Sequence, residues 1–398
     1  MVISLYKELD AKERTRSFDG IGAARRSRIW CAVSHSSAGG AQEVQVNLAE
    51  GLAAVGHSVV LLALYPHEKS LRQPPAHIPW RYAVNKRPRN PLGGPKILWN
   101  LVRMLRVDRP DFILSALPAA NSVLALAAML SGTGTKVIFS HHTPTETYHP
   151  ALDWLDKLLG MSRTVTGIVC VSRTVAGSLT GRARVYGKKV RVIPNALPPK
   201  VEEHIRTNMA SRRLVAARGR VVVATGRLAP QKNYPVLLRA ACHMPDVTIR
   251  LVGGGPDEEA LRTLAKELGV TEKVEFVGFR PRLDALSVLA EADVFVQPSL
   301  FEGHSLAIVE AAKAGLPIVV SDVPVQVEGI TANDGTLCGI LVPPHDDLAL
   351  AKAITTLLDE PEEYRDYAER SRHLGEGLTF SAMLSSYESL LVAEAMPT

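Results

Sequence analysis

Short, almost unbroken apolar runs recur along this chain of 398 residues, each followed by a longer stretch in which apolar residues return every three or four positions. The runs are rich in Val and Ile and suit strands buried on both faces, whereas the longer stretches suit helices that lay one apolar stripe on a sheet. This pattern predicts strands near 28–34, 58–64, 111–115, 136–140, 167–171 and 190–193, with helices filling most of the gaps. Pro194-Asn195-Ala196-Leu197-Pro198-Pro199 breaks the pattern, and the polar, charged residues that follow to about Arg218 read as a linker. The alternation restarts at Arg220-Val221-Val222-Val223, with further strands near 247–252, 274–277, 293–297, 317–320 and 339–342, and helices from Asp346 onward.

Strand and helix alternating from end to end predict an α/β protein with parallel sheets covered on both faces. With 46% of its residues apolar, a chain of this length buries two ordinary cores more readily than one. We therefore expect a loosely ordered N-terminal extension at 1–27 and a first doubly wound domain at 28–198. The linker at 199–218 leads to a second doubly wound domain at 219–378, and a C-terminal helix at 379–398 is expected to pack back towards the first domain. A cleft between the two domains is the expected ligand site.

Composition narrows the function classes. The segment 112–135 is uncharged and long enough to span a bilayer, but Pro118, Asn121 and the Ser-Gly-Thr-Gly-Thr end divide it into a strand and a helix. The first residues lack the apolar core of a secretory signal, and the four cysteines have no metal-site or redox spacing, so a reducing cytoplasm is expected. Charge is uneven: residues 1–198 hold 26 Lys and Arg against 12 acids, +14, and residues 199–398 hold 20 against 28, −8. Between Arg81 and Arg109 eight cations face one acid, Asp108, around a helix-like segment containing Trp99. That is the make-up of an interfacial helix on an anionic membrane, and equally of a core helix with a solvated basic face. Nucleic acid is not expected as a partner, because no recognition motif or interleaved aromatic accompanies the charge.

The richest stretch for chemistry runs from 299 to 311, Ser-Leu-Phe-Glu-Gly-His-Ser-Leu-Ala-Ile-Val-Glu-Ala. Glu302 falls in a loop just past a strand ending at Pro298, where open parallel sheets bind ligands. Glu310 falls in the second turn of a helix opening near Ser305, whose hydroxyl suits an N-cap. At about 1.5 Å per helical residue the two carboxylates stand up to roughly 12 Å apart, enough to hold the sugar and the ribose of a nucleotide sugar. The plain alternative is a helix-surface acid and an unrelated loop acid.

Other candidates follow predicted strands. Gly39 and Gly40 precede a helix whose N-terminal amides can meet a phosphate, although a tight turn alone would also use them. In Gly226-Arg227-Leu228-Ala229-Pro230-Gln231-Lys232-Asn233, Arg227 and Lys232 can neutralise a diphosphate; two solvated loop cations are the alternative. No Asp-x-Asp pair is present to hold a divalent metal against phosphates, so fixed cations would have to do that work. Val252-Gly253-Gly254-Gly255-Pro256 is followed by acids, which disfavours a pyrophosphate cradle and leaves a turn that lines a nucleotide. His141 and His142 end a first-domain strand, where an imidazole can bond a sugar hydroxyl or serve a structural role.

Taken in order, these motifs resemble those of the retaining glycosyltransferases of family 4, across roughly residues 28–395. The resemblance rests on Gly-Gly-Ala-Gln, the His-His pair, Pro194-Asn195, the Gly-Arg…Lys-Asn segment, Val-Gly-Gly-Gly-Pro, and above all Glu302 and Glu310 followed by Ala-Gly-Leu-Pro-Ile-Val-Val-Ser. It implies the GT-B fold, with two Rossmann-like doubly wound domains facing an interdomain cleft, the first binding acceptor and the second the nucleotide sugar. It further implies that Gly39 and Gly40 approach the donor diphosphate, that Arg227 and Lys232 bind it, and that Glu310 takes the ribose hydroxyls. Glu302 would hold the donor sugar beside Gly303, His304, Ser305 and Leu306, and His142, better aligned than His141, would contact that sugar near the reacting carbon. Gly253 would line the nucleotide, and the base would pack near Phe279 and Arg280. Where the family more often has an aromatic and then a small residue or proline, this chain has His304 and Ser305, which opens the identity of the sugar.

The implied reaction is transfer of a hexose or N-acetylhexosamine from a UDP-sugar, in preference to a GDP-sugar, to a glycan or lipid-linked acceptor, with no metal and no other cofactor. No carboxylate is placed as a covalent nucleophile, which favours front-face substitution over the two-carboxylate route of retaining glycosidases. A sugar-nucleotide epimerase or a phosphorylase on the same architecture, and a non-catalytic sugar-nucleotide-binding scaffold, are the competing classes.

Overall fold

The computed structural model describes residues 26–37, 39–67, 74–88, 93–210 and 219–395. Most of the extension expected at 1–27, and residues 211–218 of the expected linker, lie outside the described residues. The chain divides into two compact units, one of Met1–Cys170, Ser178–Ile193 and Met383–Thr398, the other of Val171–Gly177 and Pro194–Ala382.

The first unit holds strands β1 (Arg28–His35), β2 (Ser58–Tyr65), β3 (Trp80–Tyr82), β4 (Phe112–Ala116), β5 (Lys136–His141), β6 (Val165–Cys170) and β7 (Val190–Val192). They form a sheet in the order β3-β2-β1-β4-β5-β6-β7, every pair parallel. The order reverses between β1 and β4, which makes the carboxyl ends of those two strands the switch point of a doubly wound sheet. Helices α1 (Gly40–Ala54), α2 (Gly93–Asp108), α3 (Pro118–Ser131) and α4 (Pro150–Gly160) lie between the strands. Strand β3 was not expected, because three half-buried residues at a sheet edge are too few to show an alternating pattern. The uncharged segment 112–135 is β4 followed by α3, and no helix among the described residues is long and apolar enough to cross a membrane.

The second unit holds β8 (Val221–Thr225), β9 (Thr248–Val252), β10 (Val274–Gly278), β11 (Val294–Gln297), β12 (Ile318–Ser321) and β13 (Ile340–Val342), parallel in the order β10-β9-β8-β11-β12-β13. Its switch point lies between β8 and β11. Successive strand residues point to opposite faces, so Val222, Ala224, Val294 and Val296 enter one buried cluster and Val223, Phe295, Ile318 and Val320 the other. Both faces are thus dry, which is why these runs carry no polar alternation.

Part of the expected linker is structured. Residues Pro199–Met209 form helix α5, and Val201 and Ile205, 7% and 3% exposed, pack into the second unit's core. Pro199 at the first turn starts this helix at no cost in hydrogen bonds, and its polar residues are its solvent face rather than a sign of coil. Further helices follow: α6 (Tyr234–Ala240), α7 (Glu258–Glu267), α8 (Arg282–Ala290), α9 (Leu306–Ala314), α10 (Pro324–Gly329), α11 (Asp347–Asp359), α12 (Pro361–Glu376) and α13 (Phe380–Ala395). From Met383 onward α13 belongs to the first unit, where Lys136 donates to the Glu394 carbonyl and Tyr387 is buried.

Candidate active site

The second unit brings several candidate residues to its switch point. Lys232 ends a short turn after β8, and Glu302 lies in the loop after β11; Lys232 Nζ is 2.7 Å from Glu302 Oε1, each side chain 13% exposed. The backbone holds the two loops in place, with Leu300 N donating to Gln231 O at 2.9 Å and Gln231 Nε2 donating to Phe301 O at 2.9 Å. Gly226 leaves the space that Lys232 occupies: a Cβ there would stand 2.7 Å from Lys232 Cε, and its φ of +145° suits only glycine. Arg227 is exposed and has no carboxylate partner among the described residues.

The triple glycine has a reason in packing. A Cβ on Gly253 would lie 1.9 Å from Gly226 O, and one on Gly255 would lie 2.1 Å from Leu228 O, so the turns after β8 and β9 touch backbone to backbone. Phe279, 55% exposed, stands beside Gly254, with exposed Arg280 next to it.

The N-cap expected of Ser305 is not made. Its hydroxyl instead donates to Gln297 Oε1 at 2.7 Å, Gln297 Nε2 donates to Gln326 Oε1 at 2.6 Å, and Gln326 Nε2 returns to Gln297 O at 2.7 Å and Ser321 Oγ at 2.9 Å. A glutamine buried at a strand end must be satisfied, and the nearby hydroxyl serves it rather than the helix. The amides of Gly303, His304, Ser305 and Leu306 also have no partner among the described residues, at the positive end of α9. Asn195 Nδ2 donates to His304 O at 2.9 Å, which gives the Pro194-Asn195 motif a structural role. Burial pushes the His304 imidazole down to about 4, so it is neutral near pH 7, and its buried Nδ1 has no partner among the described residues.

Glu310 lies on α9 as expected, but it is not alone. Arg282, the first residue of α8, donates to Glu310 Oε1 from Nη2 at 2.8 Å and from Nε at 3.1 Å, and both side chains are 15% exposed. Sequence reasoning missed Arg282; the available signal was a cation opening a helix directly after Phe279 and Arg280.

The first unit holds Gly39, Gly40 and His142. Gly40 opens α1 onto space with nothing within 4 Å of a would-be Cβ, whereas one on Gly39 would meet Gln42 Oε1 at 2.7 Å. His142 is half-buried, 3.0 Å from Ser140 Oγ, and is held down to about 4 by burial and then by the neighbouring His141. His141 is fully enclosed, with Nδ1 2.9 Å from the Tyr148 hydroxyl and Nε2 3.2 Å from that of Tyr186. Asp156 accepts from Tyr186 at 2.7 Å and from Arg182 at 2.6 Å, and Arg182 also reaches Asp153 at 2.6 Å. Both ring nitrogens of His141 are used inside this network, which leaves it none for a ligand.

Residues 38–201 match the model described as Glycosyltransferase Family 4, and residues 207–374 match that of Glycosyl transferases group 1. The chain is 25% identical over 366 residues to an uncharacterized glycosyltransferase of Haemophilus influenzae, covering 89% of this chain and 97% of that one. It is 33% identical over 198 residues to a D-inositol 3-phosphate glycosyltransferase of Corynebacterium efficiens, 45% of each chain, so it spans less than half of that relative. Its fold matches the crystal structure of HepE from Anabaena in complex with UDP, with a TM-score of 0.72 and 19% identity over 92% of this chain and 100% of that one. Two Rossmann-like units, each a doubly wound parallel sheet, define the GT-B class. The chain belongs to the family 4 type of glycosyltransferases.

Proposed function

We propose that this glycosyltransferase moves a hexose or N-acetylhexosamine from a nucleotide sugar to a glycan or lipid-linked acceptor, in synthesis of a cell-surface polysaccharide or glycoconjugate, with retention at the anomeric carbon. A UDP-sugar is favoured over a GDP-sugar; HepE, which shares the fold, was crystallised with UDP and with UDP-glucose. The observation that carries the reading is the Lys232–Glu302 pair at the second unit's switch point, with Arg227 exposed beside it. A diphosphate can draw on Lys232 and Arg227, while the carboxylate of Glu302 accepts from hydroxyls of the sugar. The free amides of Gly303 to Leu306 offer further donors, and Glu310, steadied by Arg282, accepts from the ribose.

In the reaction we propose, the bond from the anomeric carbon to the phosphate oxygen breaks and a bond to the acceptor oxygen forms on the same face. The acceptor's proton passes to the departing diphosphate. Arg227 and Lys232 hold the leaving charge, and Glu302 orients the sugar. Charge neutralisation by these cations makes the reaction independent of added metal. Release of UDP from UDP-glucose and UDP-N-acetylglucosamine, and of GDP from their GDP counterparts, measured with and without EDTA, tests the proposal. UDP release undiminished by the chelator is expected; no turnover and no binding of any nucleotide sugar would overturn it. An isomerised donor formed without acceptor would select an epimerase instead.

An anionic membrane surface is a second reading, and the outward face of α2 favours it. Trp99 and Val107 are 70% and 75% exposed, on the side opposite Ile97, Leu101 and Leu105, and exposed Lys96 and Arg103 flank them. Neighbouring α3 and α4 expose Leu130 at 53% and Trp154 at 61%. Two of the cations are engaged within the unit, since Arg81 pairs with Asp108 and Arg106 donates to the carbonyls of Leu130 and Ser131. The outward tryptophans therefore carry the reading more than the count of charges does. Sedimentation with phosphatidylglycerol vesicles at low and high salt tests it.

A further inference from the structure

At the carboxyl edge of the first unit's sheet lies a cluster that the donor groups do not use. His35, Tyr65 and Tyr82 are the last residues of β1, β2 and β3. The His35 ring centre is 6.0 Å from that of Tyr65 and 5.8 Å from that of His67, and the Arg87 guanidinium lies 5.9 Å from the Tyr65 ring centre. The Ser36 hydroxyl ties the group together, accepting from the Tyr82 hydroxyl at 3.3 Å and from the His67 amide at 3.2 Å. Trp80, Tyr82 and Leu117 pack over buried Val33, Ala63 and Ala116 to make its floor.

Three features set this cluster apart from ordinary core. Its rings are half-buried and carry polar edges, a composition that presents both an apolar face and hydrogen-bonding groups, as a sugar ring requires. Arg87 is exposed beside it, and the positive end of the 15-residue helix α1 begins a few residues past His35, so the local field favours an anion. Leu117, after β4 across the switch point, has φ +80°, a strained conformation for a branched side chain of the kind that gathers at ligand sites.

We infer that this cluster is the acceptor subsite, and that the acceptor presents to it a sugar or cyclic polyol bearing a phosphate or carboxylate group. The inference rests on the glycosyltransferase reading above and deepens it by naming the acceptor's chemistry. Tyr65, Tyr82 and Trp80 supply the surface against which the ring lies, and Arg87 pairs with the anionic group.

The test uses the full chain, first titrated with UDP so that a phosphate on the probe does not occupy the donor's cations. Methyl α-glucoside, glucose 6-phosphate and glucuronic acid are then titrated, following the imidazole resonances of the histidines by NMR. At least one anionic probe is expected to bind about tenfold more tightly than the neutral glycoside, the effect of one charge-assisted hydrogen bond. Preference for glucose 6-phosphate alone assigns a phosphate, and equal binding of both anions admits a carboxylate. Arg87→Gln, an exposed substitution, is expected to bring the anions down to the level of the neutral probe, and Tyr65→Leu to weaken all three. Equal binding of the three probes by the native chain, or an anion preference untouched by Arg87→Gln, overturns the inference. The preliminary UDP titration reports separately on the donor: UDP binding without anion preference sinks the acceptor class alone, and anion preference without UDP binding sinks the donor reading alone.

Discussion

Replacing Glu302 by Gln should move donor binding and transfer in opposite directions. Without ligand, Glu302 holds the Lys232 ammonium at 2.7 Å with both side chains 13% exposed. Two unit charges about 4 Å apart attract by about 4 kcal/mol at an effective dielectric of 20, but desolvation and competing water offset most of that. For a largely covered pair a net ~1–2 kcal/mol remains, between the values of exposed and buried pairs. A diphosphate that engages Lys232 must share it with that carboxylate. Glu302→Gln keeps the side chain's shape and removes the competing charge, so UDP, which lacks the sugar, should bind roughly 5–30-fold more tightly.

Transfer should fall, because the donor sugar loses a charged acceptor for its hydroxyls. Removing one hydrogen bond to a charged group costs about 1.5–3 kcal/mol, so kcat/KM should drop roughly 10–150-fold. Calorimetric titration with UDP and a UDP-release assay on the same preparation read the two quantities, and general damage to the site would weaken both. UDP affinity that falls along with activity, or that is unchanged while transfer proceeds at the native rate, would refute the reasoning.

Arg282→Ala should raise the donor KM about tenfold with kcat within about twofold, because loosening Glu310 weakens a contact remote from the reacting carbon equally in ground and transition states; steady-state kinetics separate the two constants. Asp156→Asn leaves Arg182, 4% exposed, with Asp153 as its remaining acid. Breaking such a buried pair costs about 3 kcal/mol, or roughly 6–12 °C in the melting transition of a unit this size, read by calorimetry. His142 and His304 are held to about 4, below the ordinary 6.5, so between these values the unfolded chain binds protons that the folded chain does not. Their contribution to stability is complete above about pH 7 and is lost as pH falls towards 4, so the melting temperature should drop across that window, and less steeply in His304→Asn. An equal slope in the two proteins would count against neutral, buried His304.

The strands were legible because each is short, apolar and bounded by turn residues: β8 and β11 show as Val-Val-Val-Ala-Thr and Val-Phe-Val-Gln in a polar setting. Strand β3 and helix α5 were not, since the first is a three-residue edge and the second sets its apolar residues, Val201, Ile205 and Met209, singly among polar and charged neighbours. Loop glycines could be located but not explained. Gly253 and Gly255 are required by the carbonyls of Gly226 and Leu228, a contact between two strand ends that no local pattern reveals. The same limit hid Arg282 and turned Ser305 from the expected cap into a partner of Gln297, because the residue that satisfies a buried amide is chosen by topology, not by spacing.

Charge is where local arrangement outweighs composition. Residues 199–398 carry a net −8, which by itself would repel the diphosphate proposed above. Within the second unit, however, Glu302 and Glu310 are each matched by a cation, Lys232 and Arg282, while Arg227 and Arg280 stand exposed nearby without a carboxylate partner among the described residues. At physiological ionic strength a charge is felt over about 8 Å, so acids farther than that from these groups are largely screened. What a ligand meets at the ends of β8, β10 and β11 is two neutral pairs, two exposed guanidinium groups and the uncapped amides of α9. That surface attracts anions on an acidic unit.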